Sequence, residues 1–237
     1  MAKRKKVRVD FLLQERLQPN GFGCYPIYLQ LFYNRRYADF PLRQGIFVDD
    51  LEKYRRENPE IFEFETRQLT SLVRFEEKRL EGPASVKGIA ARYSLVHPDM
   101  YMLVNQYLNN HLFRVVITQK PTHFVEIINM DNRISVFSIL AACNRLFDEF
   151  EDQIPQSLQS NLDVFKEYLQ VCEIPIHFGN GGAKQVWEKR FTVMDFLSGY
   201  AHDKLSAAFE DGELLGLMKE VAIWHLGDVF GKEPFNI

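Results

Sequence analysis

A chain of 237 residues, with 46% hydrophobic, 14% aromatic and 26% charged residues, is long enough for one large domain or two ordinary ones and can bury a core. No apolar run reaches the roughly 18 residues needed to cross a bilayer, so no transmembrane helix is expected. The net charge of −3 hides a division: residues 1–45 hold nine Lys or Arg against three Asp or Glu, and the rest of the chain is acidic. A polyanion is favoured at the basic end.

The opening MAKRKKVRV is basic, but an alternating VDFLLQ comes after it, which is not the pattern of a signal peptide. Residues 7–14 predict a first strand, with Val7, Val9 and Phe11 on one face and Arg8 and Asp10 on the other. A Pro-, Asn- and Gly-containing loop leads to a second strand over 27–33. Asn34-Arg35 is the expected hairpin turn, and a third strand over 36–42 ends at Pro41, as suits an edge. Residues 46–48 are short and extended, and Asp49 and Asp50 can cap the helical region that begins there. Pro59 divides that region, and residues 60–81 place Ile61, Phe64, Gln68, Leu72 and Phe75 along one stripe until Gly82-Pro83 ends the helix.

That break sets the expected boundary between a first domain, 1–82, and a second, 83–237. In the second, 98–110 predicts a helix, while FRVVITQ (113–119) and HFVEIINM (123–130) predict the two strands of a β-hairpin. Further helices are expected over 134–150, 157–171, 192–209 and 213–230, with an extended piece over 174–178 and a Gly-rich turn over 179–182. The fold class is α+β: a small three-stranded antiparallel sheet with a helix, then a larger, mainly helical domain.

The stretch Gly23-x-x-Pro26-Ile27-Tyr28-Leu29, then Asn34-x-Arg36 at a hairpin and Gly45-Ile46-x-Val48 before a helix, resembles the arm-type DNA-binding domain. That domain forms the N-terminus of tyrosine recombinases (integrases) of Bacteroidetes mobile elements, and the likeness spans about residues 6–81. Arg35 stands where the family usually carries Gly. The resemblance implies a three-stranded sheet laid into the major groove of double-stranded DNA. Independently, a β-ribbon fits that groove, Arg can hydrogen-bond guanine edges, and Lys and Arg neutralise phosphates. Arg8, Gln30, Arg36 and Arg43 are the residues expected on the DNA face. Arg35 is expected at the hairpin tip against phosphate, and Lys3, Arg4, Lys5 and Lys6 along the backbone.

No recombinase catalytic domain is recognised. His111-Leu-Phe-Arg114 has the His-x-x-Arg spacing, but a strand is expected after it and the partner residues are not evident. Gly179-Asn-Gly-Gly with Lys184 lacks the spacing of a phosphate loop. Six scattered histidines and three cysteines without a CxxC pair offer no zinc site. Cys143 and Cys172 are expected to be buried thiols, and an odd number of cysteines suits the cytoplasm. The expectation is a non-catalytic DNA-binding protein without metal or cofactor, an accessory factor or regulator whose helical domain can meet a protein partner or a second copy. The alternative is a structural or interaction component that uses the sheet and acidic helical body to hold a protein partner.

Overall fold

The computed structural model describes residues 7–42, 45–119, 134–177, 191–205 and 212–227. The chain divides into two compact units, Met1–His97 and Pro98–Ile237. The first is built on β1 (Arg8–Leu13), β2 (Tyr25–Tyr33), β3 (Arg36–Pro41) and β4 (Phe47–Val48), then α1 (Leu51–Glu57), α2 (Pro59–Arg79) and α3 (Val86–Val96). β2 is central. It pairs antiparallel with β1 and with β3, and its first two residues also pair with β4.

Strict alternation makes β2 the spine of the core. Ile27, Leu29, Leu31 and Tyr33 are buried, while Tyr28, Gln30 and Phe32 between them face outward. The register Val9↔Leu31 and Phe11↔Leu29 brings the inner side of β1 to the same layer, and Phe40 and Leu42 complete it. Onto this face α2 lays Phe62, Leu69, Leu72 and Val73, with Phe11 and Phe62 edge to face at 4.6 Å. Asp50 caps α1 by accepting from the Lys53 amide, and Pro59 occupies the first turn of α2, where no amide hydrogen is needed.

The first unit extends past Gly82-Pro83, where the boundary was expected. α3 packs on β3, β2 and α2, burying Ile89, Tyr93 and Val96, with Tyr93 against Phe40 at 5.1 Å. A Gly-Pro pair stops a helix without ending a domain, because the next helix can still fold back onto the sheet.

The second unit contains α4 (Met100–Gln119), α5 (Val136–Leu146), a 3-10 turn at Glu151–Gln153, α6 (Gln156–Val171), α7 (Val193–Leu197), α8 (Tyr200–Leu205) and α9 (Glu213–Leu226). α4 packs against α5, α6 and α9. The strand expected over 113–119 is the last part of α4: Leu108, Leu112 and Val116 are buried four residues apart, and that stripe overrides the β-branched composition of VVIT. The partner strand expected over 123–130 and the Gly-rich turn over 179–182 lie outside the described residues. Buried Asn105 accepts from the Val136 amide at 2.7 Å and donates to the Ile134 carbonyl, to which Asn109 also donates, so α4 holds the start of α5. A capping box of Thr192 and Asp195 opens α7. Among the described residues, no helix is long and apolar enough to cross a membrane.

Candidate nucleic-acid interface

The outer face of the sheet is set by register. Arg8↔Phe32↔Tyr37, Asp10↔Gln30↔Asp39 and Leu12↔Tyr28↔Pro41 form three cross-strand rows pointing away from α2. Arg8 and Gln30 therefore lie where expected, but neither is available. The Arg8 guanidinium donates through Nε and Nη2 to the Asp10 carboxylate and lies 4.7 Å over the Phe32 ring. Those hydrogen bonds hold the Asp10 carboxyl below its ordinary range. Gln30 Nε2 donates to Asp39 Oδ1 at 2.7 Å. The face thus offers one cation against two carboxylates, together with Tyr28, Phe32 and a Tyr37 that is 64% exposed.

Arg36 is not on that face. It pairs with Tyr33 across the turn, and the Tyr33 side chain is buried, so parity puts Arg36 on the helix side at the rim of the sheet. Arg43 and Lys3, Arg4, Lys5 and Lys6 lie outside the described residues. Among the described residues of the expected DNA face, Arg8 and Gln30 share the outer side of the sheet and Arg36 does not.

What the hairpin does present is its tip. Asn34 and Arg35 have φ of 52° and 63°, the two left-handed residues of a type I′ turn. Asn tolerates that region, whereas an Arg there costs about 1–2 kcal/mol. Below the turn, Tyr33 Oη donates to Glu77 Oε1 at 2.5 Å, and burial together with this bond pushes the Tyr33 hydroxyl up to about 12. The tip is thereby anchored to α2. Arg35 and Arg36 are both exposed, have no carboxylate within ion-pair reach among the described residues, and line a groove of about 480 Å³ with Ser85 and Val86 at the start of α3. Ser85 caps that helix by accepting from the Gly88 amide. Substituting Arg35→Gly should raise stability by about 0.5–1 kcal/mol, because glycine relieves the left-handed strain while its greater unfolded-state freedom takes back part of the gain. A urea-denaturation midpoint measures it.

No family model, curated protein or solved structure matches this chain.

Other polar groupings lie away from the hairpin. His111 and Arg114 both sit on α4, which is helical where a strand was expected after them. His111 packs at 4.5 Å against Tyr107, itself 5.7 Å from Trp224, and burial, then Arg114, lower the His111 pKa. Cys143 and Cys172 are buried as expected, and burial pushes the Cys143 thiol up to about 11. Among the described residues, no three His, Cys, Asp or Glu side chains are placed to hold a metal ion. The polar side of α2 carries a grouping that was not expected, in which Arg67 and Arg74 share a concave surface with Arg55 of α1. The seven-residue spacing of Arg67 and Arg74 is visible in the sequence, but it reads there as an ordinary solvated helix face.

Proposed function

We propose that the protein is a non-catalytic DNA-binding protein of the cytoplasm, similar to the arm-binding part of a mobile-element integrase and acting as an accessory factor or regulator. One observation carries this reading: two adjacent exposed arginines, Arg35 and Arg36, without acidic partners among the described residues, held at the end of a rigid hairpin whose turn tolerates strain to keep one of them there. Backbone strain retained at a charged tip is a mark of use. The tip takes the role first given to the sheet face, since Asp10 and Asp39 would repel a duplex pressed flat against that face.

The same observation about the face favours a second reading. Tyr28, Phe32 and Tyr37 with a self-compensated Arg8–Asp10 pair make a surface suited to a protein partner. Fluorescence anisotropy with a labelled duplex in rising salt separates the two. On the DNA reading, Arg35→Gln with Arg36→Gln removes two phosphate contacts, lowers affinity about tenfold and makes the log–log salt slope shallower by about 1.8. Equal, feeble binding by the wild type and this variant would give the ground to the protein partner.

A further inference from the structure

We propose that the protein pairs with a second copy of itself through α9, the two helices lying antiparallel about a two-fold axis between Lys219 and Glu220. A helix on the surface of a domain ordinarily turns a polar face to water. α9 does not: it already buries Leu214, Leu217, Val221 and Leu226, and still leaves Ile223 and Trp224 47% and 44% exposed. Gly216, Lys219, Glu220 and Ile223 are all exposed and follow the i, i+3, i+4, i+7 spacing of one helix seam. Glycine in mid-helix lowers stability relative to alanine, and a Cβ at Gly216 would meet nothing within 4 Å, so the packing of the chain itself does not require it. What Gly216 does is leave open one wall of an apolar pocket of about 150 Å³, lined also by Phe196 and Leu197 of α7 and by Leu215 and Met218.

Charge selects the occupant. Lys219 and Glu220 are adjacent in sequence and so do not face each other on one helix. Lys219 makes no ion pair among the described residues, and Glu220 uses only Oε2, which accepts from the Tyr107 hydroxyl at 3.2 Å. Turned over about the two-fold axis, the same helix sets Lys219 against the second copy's Glu220 and Ile223 against its Gly216, beside the pocket. Each charge and each apolar knob then meets its complement twice, as an interface between identical surfaces demands. Burial of Ile223 supplies the affinity, and the exposed ion pairs fix the register.

The test is sedimentation velocity of the full chain over a dilution series, with circular dichroism to check that each variant is folded. The wild type should dimerise as concentration rises. Ile223→Glu should weaken self-association at least about a hundredfold, because a buried apolar side chain is lost from each copy. Gly216→Leu should weaken it too while leaving the fold intact, since its side chain fills the pocket from within the chain. Lys219→Glu and Glu220→Lys should each associate far more weakly alone, because like charges then meet across the axis, and should form a dimer when mixed in equal amounts. A wild type that stays monomeric up to about 1 mM overturns the proposal. So does a dimer that survives both Ile223→Glu and Gly216→Leu. A mixture of the two charge variants that associates no better than either alone rules out the antiparallel pairing, and the proposal with it.

Discussion

Replacing Arg79 and Arg92 together by Met should cost the first unit about 3–5 kcal/mol, the penalty of a buried charge deprived of its partners. The charge is Glu76, whose side chain is 0% exposed. It accepts from Arg79 Nε at 3.2 Å and Nη2 at 2.8 Å, and from Arg92 Nη1 at 2.5 Å, so one carboxylate joins the end of α2 to α3. Both arginines keep their stems in the packing and only part of each side chain in water, 22% and 26%. Adding Glu76→Leu to the double variant should return at least half of the loss, because an apolar side chain of similar size removes the stranded charge. Urea denaturation measures both. A double variant as stable as the wild type would show that the pairing contributes nothing.

The Glu76 cluster also shows why a charge count is a blunt guide to function. Arg8 is one of the nine basic residues counted in 1–45, yet it is bound by a carboxylate of its own chain, as are Arg79 and Arg92 further on. The Arg8–Asp10 pair was legible in principle, since residues two apart on a strand share a face. So was the position of Arg36. A two-residue turn makes the residues flanking it a cross-strand pair, so an inward Tyr33 requires an inward Arg36. The pairing of Glu76 with Arg92 was not legible, because it depends on α3 returning across α2, and nothing local in the sequence announces that.

The fold divides along the same line. β1, β2, β3 and α2 were readable because each has one buried face and a strong period, 2.0 or 3.6, that only one arrangement satisfies. Residues 113–119 carried two conflicting signals, a β-branched run and a helical stripe begun at Leu108, and burial of the stripe decided the outcome. The α3 helix was missed because its apolar positions, Ile89, Tyr93 and Val96, become meaningful only against Phe40 and the sheet.

The second large effect is expected at the other polar contact between α2 and α3. Glu65 and His97 are both 0% exposed. The Glu65 carboxylate accepts from the Tyr93 hydroxyl and lies 3.0 Å, through both oxygens, from His97 Nε2. Phe64 at 5.6 Å and Tyr93 at 4.8 Å wall in the imidazole, and Nδ1 has no hydrogen-bond partner among the described residues. A ring with one nitrogen facing a carboxylate and the other facing apolar walls carries its proton on the Nε2 side, so Glu65 fixes the tautomer as well as the position. Glu65→Leu leaves a buried hydroxyl and a buried N–H unsatisfied at once and should cost about 2–4 kcal/mol. Glu65→Gln keeps an acceptor oxygen and should cost about 1–2 kcal/mol less than the Leu variant. Adding Tyr93→Phe to Glu65→Leu removes one stranded group and should restore about 1 kcal/mol, a non-additive gain that appears only if the two residues share the bond. Additive losses in that cycle would mean that the hydroxyl and the carboxylate act independently.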